Sequence, residues 1–246
     1  MYLSAFENED WDLERNGEGR LLSSVAALSP DRFTAFDVGS FAGQWAKLVL
    51  ELNSQAEVHC FEVVEHLSSK LEHDLADRPN VVVNRVGLWS DDGNLTGHFV
   101  DDLPTMSSLV QAVWQYTGDD STTFDVKVER GDEYCARAGV THIDFLKVDV
   151  EGGEFEVVRG FERLFREGQI DVVQFEYGPL TLAAKNSLHG FYDFFSDMGM
   201  VLGKIYPRYV KLMDRYYPGL DDFRWANYVA LRPAIVERLP RSFGNA

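Results

Sequence analysis

The sequence predicts an α/β fold built on a doubly wound, mostly parallel β-sheet. Short apolar runs typical of buried strands alternate with amphipathic segments typical of helices along most of the 246 residues. The composition, 45% hydrophobic and 13% aromatic, is enough for a substantial core and argues against global disorder. The chain shows neither internal repeats nor low-complexity tracts. We therefore expect one large domain whose parallel strands are joined by right-handed crossovers.

The predicted elements follow in a regular order from the N-terminus. An amphipathic helix over residues 17–30 is stopped by Pro30. Residues 93–100 and 122–130 are predicted as paired edge strands around a long loop, 101–121, and loops of that length are usually functional. The predicted core strands are 33–39, 57–63, 80–89, 143–150 and 170–177. The predicted helices are 41–53, 66–77, 132–139, 153–168 and 188–200.

The C-terminal part predicts two strands at hairpin distance, 201–212 and 223–233, which add an antiparallel edge to the sheet. We divide the chain into an N-terminal helical extension (1–30), the main domain (31–235) and a C-terminal tail (236–246).

Composition also disfavours several classes of partner. The net charge of −17 argues against nucleic acids and anionic membranes, because affinity for them comes largely from basic residues that neutralise phosphates. No run of about 18 apolar residues predicts a transmembrane helix, and no secretory signal is present. The two cysteines, Cys60 and Cys135, lie far apart and predict free thiols in a reducing compartment. We therefore expect a cytoplasmic protein.

An acid and two glycines follow the first predicted strand, in the stretch FDVGSFAGQW (36–45). Ligands of doubly wound sheets bind at the carboxyl ends of the strands, where Gly39 allows a positive φ and Gly43 allows close packing. The spacing D-x-G-x-x-x-G differs from the G-x-G-x-x-G of dinucleotide sites, and Asp37 would repel a pyrophosphate. Glu62 ends the second strand, where its carboxylate accepts both hydroxyls of a ribose. A ligand with a ribose and a positive charge is S-adenosylmethionine, and NAD is the alternative.

The fourth and fifth predicted strands deliver further acids to the same edge. Lys147, Asp149 and Glu151 alternate onto one face in FLKVDVEGG, and Glu176 ends the fifth strand. A lysine inside a buried strand is costly unless it is paired, and Asp149 is the obvious partner of Lys147. Four strands thus each bring an acid to one edge of the sheet.

The stretches FDVGSFAGQW, CFEV, MSSL, FLKVDVEGGEFEVVRG and QFEYG, in this order and spacing, resemble the FkbM family of S-adenosylmethionine-dependent O-methyltransferases. The resemblance runs from about Gly17 to Leu231 and is most specific in DVEG-x-E. It implies a class I methyltransferase (Rossmann-like) fold with a seven-stranded sheet whose last strand is antiparallel. It also implies methylation of hydroxyls, commonly on sugars. Ser40 and Phe41 replace the family's usual Ala-Asn pair, and Val63 replaces its usual proline.

Methyl transfer to an alcohol needs a positioned base or a metal ion that removes the hydroxyl proton. Asp149 is our first candidate for this acid–base position. Lys147 is a second candidate if burial lowers its pKa, and a plain ion-pair partner otherwise. Alternatively, Asp149 and Glu176, together with Glu151, hold Mg²⁺. Glu151 also has a simpler interpretation, as a cap of the following helix.

The acceptor side is predicted from two segments. Ser107 and Ser108 lie in the long loop, and residues 206–225 cluster aromatic rings with Arg and Lys, which suits a nucleotide-linked or acidic sugar. The predicted substrate-binding residues are Ser107, Ser108, Glu176, Tyr177, Arg208 and Tyr209. The predicted cofactor-binding residues are Asp37, Gly39, Ser40, Phe41, Gly43, Glu62, Val63, Gly87 and Asp149. The predicted catalytic residues are Lys147, Asp149 and Glu151, and the predicted metal ligands are Asp149 and Glu176.

Together these patterns predict an S-adenosylmethionine-dependent O-methyltransferase that acts on a sugar hydroxyl of a small molecule or glycan. Two alternatives stay open at this point. An NAD-dependent oxidoreductase is disfavoured by the missing third glycine and the four edge acids. A non-catalytic protein that binds S-adenosylmethionine is disfavoured by the complete set of Lys147, Asp149, Glu151 and Glu176. The sequence predicts no particular oligomeric state.

Overall fold

The computed structural model describes residues 12–99, 107–111 and 122–240, which form two β-sheets. The strands are β1 (Thr34–Val38), β2 (Glu57–Phe61), β3 (Val81–Asn84), β4 (Gly87–Trp89), β5 (Gly93–Phe99), β6 (Thr122–Arg130), β7 (Ile143–Val148), β8 (Ile170–Tyr177), β9 (Val201–Tyr206), β10 (Tyr209–Leu212) and β11 (Ala226–Leu231). The main sheet has the order β10-β9-β11-β8-β7-β1-β2-β3, and the small sheet has the order β4-β6-β5.

Helices cover both faces of the main sheet. They are α1 (Glu18–Ala26), α2 (Gln44–Leu52), α3 (Glu65–Asp74), α4 (Gly131–Ala138), α5 (Glu154–Gly160), α6 (Glu162–Arg166), α7 (Pro179–Ala183), α8 (Leu188–Asp197) and α9 (Pro233–Arg238). Apolar side chains of α1, α2, α3 and α9, such as Leu21 and Trp45, pack on one face. Those of α4, α5, α6 and α8, such as Val157 and Phe191, pack on the other. The two central strands, β1 and β7, are buried at every residue because helices cover both of their faces.

The strand directions confirm the predicted doubly wound fold. β3, β2, β1, β7 and β8 are parallel neighbours. β11 pairs antiparallel with β8 and with β9, and β9 pairs antiparallel with β10. The two predicted C-terminal strands do pair antiparallel, as β9 and β11, and β11 inserts between β9 and β8. The predicted strand 201–212 is itself divided into the hairpin β9–β10, so β10 extends the sheet by one strand beyond the seven that the resemblance implies.

Two further predicted elements are divided in the structure. The apolar run 80–89 forms β3 in the main sheet and β4 in the small sheet, because the chain changes pairing partner at Arg85 and Val86. The predicted helix 153–168 is interrupted at Phe161, whose ring is fully buried. The predicted edge strands are confirmed as β5 and β6, which pair antiparallel. Most of the predicted loop 101–121 lies outside the described residues.

The described residues carry two further observations on the predicted class of protein. Both cysteines are buried, unpaired thiols, as the sequence predicts. Across the ranges that the structure covers, no helix is both long enough and apolar enough to span a membrane. The proposed domain boundaries at 30 and 235 stay a prediction, although α1 packs on the main sheet through Leu21, Leu22 and Val25.

Candidate functional site

The carboxyl ends of the parallel strands open into a cavity of about 920 Å³, a size typical of sites for small ligands. Its walls come from the segments that follow β1, β2 and β7, from the start of β4, from the first turn of α1 and from residues 225–227. The predicted site residues that line it are Asp37, Gly39, Ser40, Phe41, Glu62, Val63, Gly87, Ser107, Ser108, Lys147, Asp149, Glu151 and Glu176. The residues predicted from separate strand ends therefore share one concave site.

Gly39 lies where the chain leaving β1 comes closest to the chain leaving β7. Its φ is +83°, and a Cβ atom at this position would overlap the backbone carbonyl of Asp149. The Asp149 N–H donates to the carbonyl of Val38 over 2.9 Å. The predicted positive φ is thus confirmed, but the space that glycine leaves is filled by the neighbouring backbone. This close approach holds Asp149 beside the end of β1.

The loop after β1 is fastened to β2. The Ser40 hydroxyl donates to the carbonyl of Asp37 over 2.7 Å and accepts the N–H of Phe61 over 3.1 Å. Phe41 has a φ of +48°, a left-handed conformation that Asn adopts more readily than Phe. These contacts fix the wall of the cavity between Gly39 and Glu62.

Glu62 is 6% exposed and accepts two backbone hydrogen bonds. Its Oε2 accepts the N–H of Phe41 over 2.9 Å, and its Oε1 accepts the N–H of Val64 over 2.8 Å. Burial raises the pKa of Glu62 to about 7 even though both hydrogen bonds favour the charged form. Each oxygen keeps a lone pair beyond its backbone donor, so an ionised Glu62 has two further acceptor positions for hydroxyl groups.

Lys147 forms the positive centre of the cavity floor. Its ammonium nitrogen lies 2.8 Å from Asp149 Oδ2 and 3.9 Å from Asp37 Oδ1. Burial by itself lowers the pKa of Lys147, but the carboxylates of Asp149, Asp37 and Glu18 outweigh burial and raise it. These contacts are those of an ion-pair partner, one of the two roles that the sequence predicts for Lys147.

Asp37 is 1% exposed, and neither of its carboxylate oxygens has a hydrogen-bond partner among the described residues. Burial raises the pKa of Asp37 to about 6, although the charge of Lys147 opposes this shift. A buried carboxylate without direct donors is costly, so Asp37 contributes charge to the site at the expense of stability.

Three carboxylates lie close together in the cavity, and one of them is the Asp149 that pairs with Lys147. One oxygen from each of Asp149, Glu151 and Glu176 lies within 4.8 Å of the others. Burial, and after it the charge of Asp149, raises the pKa of both Glu151 and Glu176 well above the usual range. Glu151 has a φ of +56°, and its carbonyl accepts the hydroxyl of Ser108 over 2.7 Å. This arrangement can take up a proton or a cation.

Helix α5 begins after Gly153 and has no side-chain cap, so neither Glu151 nor Glu154 caps it. Glu154 Oε1 accepts the N–H groups of Val150 and Gly152, each over 3.0 Å. Burial raises the pKa of Glu154 to about 7. The simpler interpretation of Glu151 as a helix cap is therefore wrong, and its side chain lines the cavity instead.

Two predicted site residues, both within the described ranges, are packing residues and do not line the cavity. Gly43 precedes α2 and faces Leu71 of α3, where a Cβ atom would overlap the leucine side chain. Tyr177 is fully buried at the end of β8, and its hydroxyl donates to Asp221 over 2.9 Å. Alternate residues of a strand face opposite sides of a sheet, so Tyr177 turns away from the cavity that its neighbour Glu176 lines.

Arg208 and Tyr209, predicted to bind the substrate, also lie outside the cavity lining. Arg208 lies in the tight turn between β9 and β10, and Tyr209 is the first residue of β10, which is three strands from β8 in the sheet. The ring of Tyr209 stacks on Tyr206 with 4.8 Å between the centroids, and Arg208 is exposed. Of the aromatic and basic cluster in residues 206–225, Trp225 is the member that lines the cavity.

The sequence did not indicate two cavity residues that come from distant parts of the chain. Glu18 begins α1, and Asn227 is the second residue of β11. The only signal for Asn227 is its alternation with Val229 and Leu231, which places it on the face that α1 covers. Nothing in the local pattern brings Glu18 to the same place.

The chain was also compared with known proteins. A model of the methyltransferase FkbM domain matches residues 37–202, more than half of the chain. The 2-O-methyltransferase NoeI of Sinorhizobium fredii is 23% identical over 151 residues, which are 55% of this chain and 60% of that protein. The chain thus spans less than two thirds of this relative.

Solved structures of low sequence identity match most of the chain. An S-adenosylmethionine-dependent methyltransferase from Agrobacterium tumefaciens is 10% identical, with a TM-score of 0.49 over 89% of this chain and 62% of that one. Aeropyrum pernix fibrillarin, solved with natively bound S-adenosyl-L-methionine, is 14% identical, with a TM-score of 0.46 over 86% of this chain and 74% of that one.

Proposed function

Because the chain belongs to the FkbM methyltransferase family, we propose that it is an S-adenosylmethionine-dependent O-methyltransferase whose acceptor is a sugar hydroxyl. The observation that carries this proposal is the shared cavity. It joins Glu62, which offers two acceptor positions for a ribose, to Asp149, which is positioned to accept a proton. An NAD-dependent oxidoreductase remains the rival, and it is disfavoured by the carboxylates that surround the loop after β1.

The residues present fit the cofactor. Glu62 would hold the ribose hydroxyls, and the apolar group of Phe41, Val63 and Leu67 beside it would hold the adenine. The orphaned carboxylate of Asp37 gives this end of the cavity a negative charge that suits the cationic part of the cofactor. When bound, S-adenosylmethionine supplies an electrophilic methyl group on a good leaving group. The protein must then orient the acceptor hydroxyl and remove its proton.

Asp149 is the proposed base. Lys147 holds one oxygen of its carboxylate at 2.8 Å, which fixes its orientation and leaves the other oxygen for the acceptor hydroxyl. Glu151 and Glu176, whose pKa values are raised, are placed to share or relay the proton. Lys147 keeps its proton throughout and stabilises the ionised form of Asp149.

A metal-assisted mechanism is the second candidate. The clustered oxygens of Asp149, Glu151 and Glu176 are the ligand type and spacing that Mg²⁺ accepts, and a bound ion would lower the pKa of the acceptor hydroxyl. The same three side chains then act as ligands. Chelation separates the two mechanisms, because only the second loses activity when divalent ions are removed.

The name of NoeI, a 2-O-methyltransferase, supports transfer to a hydroxyl oxygen. The charge of the cavity disfavours a nucleic acid as the acceptor. Among the described residues, its lining contains one lysine, Lys147, and seven acids, Asp12, Glu18, Asp37, Glu62, Asp149, Glu151 and Glu176. Such a cavity repels phosphate. We therefore propose a small molecule or glycan as the acceptor and the cytoplasm as the compartment.

The test is transfer of a radiolabelled methyl group from S-adenosylmethionine to a panel of methyl glycosides, with catechol and a ribo-oligonucleotide as other acceptor classes. We expect labelled glycoside, an alkali-stable ether product and strongly reduced activity in Asp149→Ala. Assays with EDTA and with added Mg²⁺ decide between the two mechanisms. Labelling of the oligonucleotide alone, or turnover of NAD without methyl transfer, would contradict the proposal.

A further inference from the structure

The wall of the cavity that faces Asp149 is built outside the segment that matches the family model. Residues 37–202 match that model, whereas Glu18 precedes it and Trp225 and Asn227 follow it. Glu62 and the loop after β1 lie inside the matched segment. The cavity is therefore composed of residues inside the matched segment and residues outside it.

Glu18 and Asn227 are joined by a buried hydrogen-bond network. Glu18 is 5% exposed, and its Oε1 accepts Asn227 Nδ2 over 3.0 Å and also Asn16 Nδ2. Its Oε2 accepts Nε2 of Gln174, a fully buried residue of β8. Three chain segments thus hold one carboxylate and one amide in a fixed orientation at the cavity wall.

This network has hydrogen-bonding capacity left over for a ligand. A carboxylate offers about four acceptor positions, and three of those on Glu18 are filled. Among the described residues, the amide of Asn227 donates once to Glu18 and accepts Gln174 Nε2 over a long 3.4 Å, which leaves one N–H and most of its acceptor capacity for a ligand. Both residues line the cavity, where these free positions match a pair of neighbouring hydroxyls.

Trp225 lies beside this pair as an aromatic wall. Its indole packs against Gly178, where a Cβ atom would be 2.9 Å from Cε3 and 3.1 Å from Cδ2. Behind it, Asp221 fixes the preceding loop by accepting the hydroxyls of Tyr177 over 2.9 Å and Tyr216 over 2.6 Å. A rigid indole next to fixed polar groups is the combination that binds the apolar face and the hydroxyls of a sugar ring.

We propose that Glu18, Trp225 and Asn227 form the acceptor subsite, in which a neutral sugar ring stacks on Trp225 and gives two adjacent hydroxyls to Glu18 and Asn227. This inference deepens the proposed function and rests on it. The subsite accounts for the position of Tyr177, which acts through Asp221 on the loop that carries Trp225. It also replaces Arg208 and Tyr209 as the acceptor-binding residues, so an anionic group on the acceptor is not required.

The test compares binding of S-adenosylmethionine with binding of the acceptor in matched variants. Trp225→Ala and Asn227→Ala should each raise the KM of the methyl glycoside about tenfold, as loss of one stacked ring or one hydrogen bond to a ligand does. The Kd of S-adenosylmethionine, measured by calorimetry, should change less than about twofold. Tyr217→Ala removes an exposed aromatic residue of the same segment and is the matched control.

Two milder variants guard against misfolding. Gly178→Ala keeps Trp225 but displaces its indole ring, because the added Cβ atom would be 2.9 Å from Cε3. Glu18→Gln keeps the shape of the Glu18 side chain and removes its charge. Both should raise the KM with kcat nearly unchanged, and thermal unfolding of each variant shows whether the fold is kept. Unaltered KM in all four variants, or an equal loss of S-adenosylmethionine binding, would overturn the subsite.

Direct binding separates this inference from the proposed function. Saturation-transfer NMR with a methyl glycoside and S-adenosylhomocysteine reports acceptor binding without turnover. Glycoside binding that is lost in Trp225→Ala supports the subsite even if no methyl group is transferred. Methyl transfer to catechol by a protein that binds no glycoside would refute the subsite and leave a methyltransferase of another acceptor class.

Discussion

The two sides of the cavity differ in how the chain builds them. The proposed cofactor side comes from short connections after β1, β2 and β7, so its residues follow the ends of strands that the sequence predicts. The proposed acceptor side joins the first turn of α1 to the start of β11, and Glu18 and Asn227 are 209 residues apart. The first side therefore depends on the order of the strands, and the second depends on the packing of segments that are distant in the chain.

The largest effect is expected from the replacement of Asp149, the residue that we assign to both sides of the cavity. Asp149→Ala should lower kcat by about 10² to 10⁴, as removal of a general base usually does. The Kd of S-adenosylmethionine should stay within a few fold, because Glu62 and the loop after β1 are untouched. Single-turnover kinetics with the methyl glycoside and calorimetry measure the two quantities. Normal turnover in Asp149→Ala would show that another group removes the proton.

The next effect concerns the cofactor side alone. Glu62→Ala should weaken S-adenosylmethionine by about 100-fold, since hydrogen bonds to a charged group contribute about 1.5–3 kcal/mol each. Glu62→Gln, which keeps one acceptor oxygen, should lose less. In both variants the saturation-transfer signal of the glycoside should persist. Loss of glycoside binding together with cofactor binding would mean that the two sides are not independent.

A smaller effect appears in the stability of the ligand-free protein. Burial raises the pKa of Glu62 and Glu154 to about 7 and that of Asp37 to about 6, above the values near 4 of unfolded chains. Between these values the folded state binds more protons than the unfolded state, so the free energy of unfolding falls as pH rises from about 4 to 7. Melting temperatures should therefore be higher at pH 5 than at pH 8. Glu62→Gln should flatten this dependence, and a profile that rises toward pH 8 would contradict it.

The smallest effect is expected at the β9–β10 turn. Arg208→Ala removes an exposed side chain that lies outside the cavity lining, so the KM for a neutral glycoside should change less than about twofold. The same assay with a sugar phosphate tests the sequence-based interpretation of this segment. A rise in KM confined to the sugar phosphate would show that Arg208 contributes to binding of the acceptor.

The parts of the site that were predictable share a physical origin. Carboxyl ends of parallel strands meet at one edge, so Asp37, Glu62, Asp149 and Glu176 could be placed together from the strand pattern alone. Trp225 could not be separated from the tyrosines around it, because composition does not tell which ring of a cluster faces inward. Tyr177 and Gly43 belong to the segments that form the site, but neither lines the cavity. The side chain of Tyr177 points away from it toward Asp221, and Gly43 packs against Leu71 of α3.

The fold was predictable from the sequence to about the same extent as the site. The alternation of strands and helices gave the doubly wound sheet, because buried parallel strands are short apolar runs. The change of partner between β3 and β4 and the eighth strand β10 depend on pairing, and pairing leaves no mark in a local pattern. The same holds for the contact between α1 and β11 that creates the acceptor side.

The most direct test of a divided cavity is calorimetric titration of S-adenosylmethionine into the unaltered protein, Glu62→Ala and Trp225→Ala under one set of conditions. We predict binding to the unaltered protein and to Trp225→Ala with nearly the same Kd, and a loss of about 100-fold in Glu62→Ala. Binding that survives in Glu62→Ala but fails in Trp225→Ala would place the cofactor on the opposite side and contradict the account.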